Sequence, residues 1–194
     1  RSDVRLPYLA VANSGGKLVD ESKFSPGAIV LNSEIELPPP VEFVVLGAKK
    51  LFTENVEFGC AGQTFESIAE VKRAGGTVDW VNNQPPTFIP VGVFTVAVKK
   101  QNNIDDLLFP YVAPDNSLWG LAQIHVRKSG YKTFAVPIFS LCELGALRTG
   151  LHNGLFRLVS EKKTYEKKTW YVPTVKMAGK NSPEMVEFFK TIYS

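Results

Sequence analysis

Short apolar runs bounded by turn residues recur along the chain and predict a mainly β protein. In the run at residues 87–100, Phe94, Val96 and Val98 fall on one side of a predicted strand. Runs of this length, rich in β-branched and aromatic residues and separated by Gly, Pro and Asn, are typical of strands. Four of them lie in the first half of the chain, at residues 6–12, 27–32, 41–48 and 87–100.

Residues 66–74 predict one internal helix. Thr64 or Ser67 is placed to cap its N-terminus, and Gly75-Gly76 is placed to end it. A small polar residue before a helix and a glycine after it satisfy the backbone groups that the helix leaves unpaired.

A second helix is predicted over residues 182–192. Ser182 suits the N-cap, Pro183 the first helical position, and Glu184 the positive end of the helix dipole. Its apolar residues Met185, Phe188 and Phe189 are expected to pack against the body of the protein.

Two segments in the C-terminal half share the order Lys-Thr-aromatic-x-Val-Pro, starting at Lys132 and at Lys168. Each follows a Gly-Leu strand start and a charged turn, which predicts two similar strand-turn-strand hairpins, at 120–138 and 154–174. The pattern as a whole predicts one mainly β domain over residues 1–194, with long hairpins and one or two short helices. An α+β arrangement is the fallback.

The net charge of +3 is unevenly distributed. Residues 1–97 hold 8 Lys and Arg against 11 Asp and Glu, whereas residues 98–194 hold 14 against 8. A basic half suits a negatively charged partner, although basic residues also serve solubility alone. No run approaches the roughly 20 apolar residues of a membrane-spanning helix, so no membrane partner is expected.

The search for catalytic and metal-binding motifs favours a protein that is not an enzyme and holds no cofactor or metal. Asp105-Asp106 is interpreted as a solvated loop, and His125, opposite in phase to its apolar neighbours, as a surface or groove residue. Cys60 and Cys142 are interpreted as two buried thiols, without a disulfide framework. Reduced thiols indicate a cytoplasmic location, which would be the host cytoplasm for a viral protein.

Basic residues alternate with aromatic residues on the two predicted hairpins, a combination that suits single-stranded nucleic acid. Cations contact the phosphates, and exposed rings stack on unpaired bases. The candidate binding residues are Trp119, Arg127, Lys128, Tyr131, Lys132, Arg157, Lys162, Lys163, Tyr165, Lys167, Lys168, Trp170 and Tyr171.

A structural role competes with the binding role at several of these positions. Trp170 shares a strand face with Val172, and Phe134 shares one with Ile138, so both rings also fit a core. The Lys-rich turn also fits an ordinary solvated hairpin tip. Three rings are expected to be accessible because of their phase or their position beside a turn: Tyr131, Tyr165 and Tyr171.

Several segments together resemble phage-encoded single-stranded DNA-binding proteins with an OB-type barrel. They are Leu6-Pro7-Tyr8-Leu9, the strands at 27–30 and 41–46, and Lys-Thr-Trp-Tyr-Val-Pro at 168–173. The resemblance implies a five-stranded β-barrel that binds single strands across one face, in phage replication or recombination.

The expected function is therefore single-stranded DNA binding without sequence specificity, in a protein that is a candidate homo-oligomer. The alternative is a structural or assembly module, for a virion or an oligomer, that binds no nucleic acid. The third hypothesis is an enzyme whose catalytic residues are distant in sequence and come together only in the fold.

Overall fold

A computed structural model describes residues 5–21, 23–56, 60–102, 104–145 and 147–194. The strands are β1 (Leu9–Val11), β2 (Ile29–Leu31), β3 (Ile35–Leu37), β4 (Val41–Glu54), β5 (Thr64–Phe65), β6 (Phe88–Lys99), β7 (Tyr111–Val112), β8 (Leu118–Arg127), β9 (Gly154–Tyr165) and β10 (Lys168–Lys180). The α-helices are α1 (Lys17–Asp20), α2 (Ile68–Arg73), α3 (Val136–Leu144) and α4 (Pro183–Ile192). None of these helices is long and apolar enough to cross a membrane.

The strands form two antiparallel sheets, which confirms the mainly β prediction. A small sheet has the order β1-β2-β3, and a large sheet has the order β10-β9-β4-β6-β8-β7, with β5 paired to β4. The four strands predicted in the first half appear as β1, β2, β4 and β6. The Asn102-Asn103 pair is expected from its turn-forming residues to end the last of them, and Asn103 lies outside the described residues. Within the described residues the ladder does not close into a barrel, so the OB-type barrel stays a prediction.

The small sheet bridges two strands of the large one. The backbone N–H of Gln123 in β8 donates to the Pro7 carbonyl at 2.8 Å. The Asn13 side chain, just after β1, donates to the Tyr171 carbonyl in β10 at 2.9 Å and accepts from the Tyr171 N–H at 2.6 Å. β1 therefore lies between β8 and β10, and its Leu9 belongs to the same core as the large sheet.

The second predicted hairpin is confirmed, and the first is wrong. Residues Tyr131–Ala135 form a π-helical turn that continues into α3, so the arm after the basic turn is helical. The apolar residues Phe134 and Ile138 fit both a strand period and a helix period. Helical spacing dominates because it also buries Tyr131 and Ala135. Val136, which lies between Phe134 and Ile138 and would share their face in a strand, stays 43% exposed.

The described residues thus contain four α-helices rather than one or two. The two predicted helices are both confirmed. Ser67 and Glu70 form a capping box at the start of α2, and Gly75 follows its end with φ of 78°. Ser182 caps α4, whose Phe189 is fully buried against the large sheet.

Different helical elements pack on the two faces of the large sheet. Tyr131–Ala135 and α3 pack on the inner face, where Phe134 contacts Phe43 and Phe94. α4 packs on part of the outer face, over Val44 and Ala97. Central strand β6 is buried on both faces there, which explains its nearly continuous apolar sequence.

Replacing Gly120 by Ala is expected to destabilise the fold by about 3 kcal/mol, because an added Cβ would lie 2.0 Å from the Leu108 backbone oxygen. Gly179→Ala is the matched control, since nothing lies within 4 Å of its added Cβ. Urea unfolding of both variants measures the difference. Equal free energies of unfolding would contradict the packing described at Gly120.

Candidate nucleic-acid interface

Two of the predicted aromatic contacts are buried and cannot meet a ligand. Trp119 is 2% exposed, and its ring meets Phe189 of α4 edge-on at 4.9 Å. Tyr131 is 9% exposed, on the inner face of the helical turn beside Phe139. The first error arises because α4 covers this part of the sheet, and the second because the predicted strand is a helix.

Two of the predicted cations are neutralised within the chain. The Lys163 ammonium lies 2.6 Å from the Glu161 carboxylate, which also lowers the pKa of that carboxyl. Arg157 lies 3.8 Å from Glu42. The remaining six predicted cations are exposed and have no ion-pair partner in the described part of the chain: Arg127, Lys128, Lys132, Lys162, Lys167 and Lys168.

The β9-β10 hairpin carries the predicted basic, aromatic tip. Within the described residues, β9 pairs with β4 through Phe156, Arg157 and Leu158 alone, so the rest of the hairpin extends beyond β4. Opposite residues in an antiparallel pair share a face. The register therefore places Tyr165 with Lys168, and Lys163 with Trp170, on one face, and Tyr165 is 68% exposed as expected.

A groove of about 360 Å³ lies between β1, the end of β8 and β10. Its volume falls within the roughly 300–1,000 Å³ of typical ligand pockets. We call it the first groove. Its walls include the following aromatic and basic residues: His125, Arg127, Lys128, Trp170 and Tyr171.

Hydrogen bonds hold the two rings that β10 contributes to the first groove. Trp170 Nε1 donates to Ser129 Oγ at 3.0 Å, which connects the hairpin to the turn after β8. The Tyr171 backbone is held by Asn13, and its ring packs on Gly27, where an added Cβ would lie 2.7 Å from the ring. Both residues are half-buried and line the groove, so part of each is accessible to solvent.

Two aromatic residues of this surface were missing from the predicted site. Tyr8 is 47% exposed, and its ring meets the His125 imidazole edge-on at 5.0 Å. His125 is exposed at the groove, which confirms the placement predicted from its phase. Tyr8 was predicted only as part of a strand, because a single ring beside a proline gives no signal of the neighbour that it meets in the fold.

Lys132 lies away from the first groove. It is exposed on the π-helical turn and flanks a separate depression with Lys128, beside Ile89 and Pro90. Arg157 is also remote from the hairpin tip, opposite Lys176 in the register. The basic residues thus divide into a group around the first groove and tip, and outlying residues.

The structure also shows where the residues considered for catalysis or metal binding lie. Cys60 is exposed, which corrects the interpretation of two buried thiols, and Cys142 is half-buried. Asp105 accepts a hydrogen bond from the Leu107 N–H within its own loop, whereas the Asp106 side chain lies outside the described residues. No group of three or more His, Cys, Asp or Glu side chains in the described ranges could hold a metal ion.

No protein-family model, curated protein or solved structure matches the chain. The interpretation of the groove therefore depends on its own geometry and chemistry.

The two histidines are expected to make the fold less stable in mild acid. Partial removal from water lowers the pKa of His125 and of His152, and Lys190 lowers the pKa of His152 further. A histidine with a lowered pKa binds fewer protons when folded than when unfolded, so stability is full above the ordinary pKa of about 6.5 and decreases below it. Urea unfolding at pH 7.0 and 5.5 should show this decrease.

The double variant His125→Gln, His152→Gln is expected to lose most of that decrease. The interval between pH 7.0 and 5.5 lies above the range in which ordinary carboxyl groups titrate, about pH 4. A double variant that keeps the full difference between the two pH values would assign the effect to other groups.

Proposed function

We propose that this protein binds single-stranded DNA without sequence specificity, in the first groove and along the β9-β10 hairpin. One observation carries the proposal: cations that have no ion-pair partner among the described residues and partly exposed aromatic rings line the same groove. Phosphates require the cations, and unstacked bases require the rings.

The electrostatic part of the proposal depends on Arg127 and Lys128. Both are exposed at the rim of the first groove, and neither has a described carboxylate partner. Lys162, Lys167 and Lys168 extend the positive charge along the hairpin toward Tyr165. A flexible polyanion can follow this track with its phosphates, releasing the counterions that it had condensed.

The aromatic part favours a single strand over a duplex. Trp170, Tyr171 and His125 line the groove. A base can stack on such a ring only if one face of the base is open. The bases of a duplex offer no open face except at its ends. Each base-ring contact contributes about 1–3 kcal/mol and accepts any of the four bases.

Binding without sequence preference follows from the polar groups that are already engaged. Both ends of the Asn13 amide bond to the Tyr171 backbone, and the Trp170 N–H bonds to Ser129. Without these bonds, the same groups could contact the hydrogen-bonding edge of a base. With them committed, stacking and charge remain as the main contributions.

We also propose that the fold is related to OB-type barrels and that the protein acts in phage replication or recombination. The position of β1 between β8 and β10 supports an OB-like relation, because the small sheet spans the gap between these two strands. The role in phage replication or recombination follows from the resemblance of the sequence and depends on the same binding activity.

Arg127→Glu with Lys128→Glu is expected to weaken oligo-dT binding strongly. The loss of two phosphate contacts should also make the plot of log K against log salt concentration shallower by about 1.4, since each contact to a single strand contributes about 0.7. Fluorescence anisotropy of labelled oligo-dT at several salt concentrations measures both effects.

The matched control is Lys72→Glu with Arg73→Glu, an adjacent Lys-Arg pair on α2 with the same change in net charge. It is expected to keep the wild-type slope. Equal effects of the two double variants would refute the groove as the binding site. A wild-type protein that forms a large, salt-insensitive assembly without affinity for oligo-dT would favour the assembly role instead.

Trp170→Ala is expected to weaken oligo-dT binding by about 1–3 kcal/mol through the loss of one stacking surface. Trp170→Phe should restore most of the affinity because it keeps an aromatic ring while losing the bond to Ser129. Trp80→Ala is the control, since Trp80 is 69% exposed and lies outside the groove. The proposal fails at this residue if the Trp170 and Trp80 variants bind alike.

A further inference from the structure

A second groove, of about 260 Å³, lies on the outer face of the large sheet. It is lined by Thr53, Val91, His125, Val126 and Arg127. The register places Leu51, Val91 and Arg127 in one row across β4, β6 and β8, with the row of Lys49, Val93 and His125 beside it. From these outward-facing rows, Val91, His125 and Arg127 line the second groove.

The two grooves share a wall. His125, Val126 and Arg127 line both of them, because they lie at the end of β8, between the sheet face and β1. Arg127 is exposed, lines both grooves and has no ion-pair partner among the described residues. A chain that leaves the first groove over Arg127 enters the second one directly.

The Tyr8–His125 pair stands at this crossing. Tyr8 lines neither groove itself, and its ring meets His125, which lines both, at 5.0 Å and an interplanar angle of 79°. Both rings are exposed, and rings in a perpendicular arrangement can present a face and an edge to a base. Neither residue belongs to a hydrophobic core cluster of the described chain.

α4 leaves the second groove open. The Tyr193 hydroxyl, at the end of α4, donates to Thr95 Oγ1 at 3.3 Å, and its ring lies against Gly47. Thr95 and Gly47 belong to the row that contains Gln123, one row before that of His125. The helix therefore covers the sheet up to this row, and Lys49, His125 and Arg127 in the next two rows are exposed.

We propose that single-stranded DNA passes from the first groove across β8 into the second groove, with a base on the Tyr8–His125 pair and a phosphate at Arg127. This inference rests on the proposed function and extends its footprint. Lys49 is paired with Glu66 at the far side of this face, so among the described residues of the face the track of unpaired cations ends near Arg127. The second groove accordingly contributes through stacking more than through charge.

Thr53 provides the sharpest test because it lines the second groove only. Thr53→Glu is expected to weaken binding of a 12-nucleotide oligo-dT by about fivefold at low salt, the effect of one charge close to a phosphate in water. Thr53→Lys should strengthen it by a similar factor. An oligo-dT of about 4 nucleotides, the short end of known site sizes, should bind both variants like the wild type.

Two further variants complete the experiment. Ala178→Glu, at an exposed position near the end of β10, makes the same charge change outside both grooves and should leave both affinities unchanged. Tyr8→Ala should weaken the longer oligonucleotide selectively, and Tyr8→Phe should not. Thermal unfolding of each variant verifies the fold, and Thr53→Lys keeps the test decisive if Thr53→Glu is unstable.

The outcomes separate this inference from the proposed function. If the wild type binds neither oligonucleotide, the proposed function fails. If the wild type binds both but the Thr53 and Tyr8 variants match it, or change both lengths equally, the crossing into the second groove is refuted. Selective changes with the longer oligonucleotide support it.

Discussion

The packing of Phe134 on the inner face of the large sheet is the contact on which the candidate site depends. Its ring stacks on Phe43 at 5.6 Å and meets Phe94 edge-on at 5.2 Å, with no exposure to solvent. This contact fixes the helical turn, whose Thr133 hydroxyl donates to the Pro173 carbonyl in β10 at 2.7 Å. The turn after β8 is thereby held against β10, and the first groove lies between them.

Charge pairing inside the chain decides which part of the basic surface is available to a ligand. A cation already bound to a carboxylate offers a phosphate little, because the new contact must replace the old one. Glu161 and Glu42 engage Lys163 and Arg157, whereas the rim of the first groove carries no such partner among the described residues. A smaller set of cations than the composition indicates therefore remains for binding.

The errors of the sequence interpretation share a physical cause. Residues 131–138 satisfy a strand period through Phe134, Val136 and Ile138, and only burial against the sheet selects the helix. Trp119 was expected on the surface because its cover, α4, lies more than 60 residues further along the chain. The exposed tip at Tyr165 was predictable, since a short turn between two long strands has no other cover nearby.

Local chemistry in the sequence determined the strands of the first half, both predicted helices, the β9-β10 hairpin and its basic tip. These features depend on periodicity, caps and turn residues close to one another in the chain. Apart from Tyr165, the tertiary structure decided which rings are accessible, and it decided which cations are paired. It also brought Tyr8 to His125 and Asn13 to Tyr171, since pairing between residues distant in the chain leaves no local pattern to read.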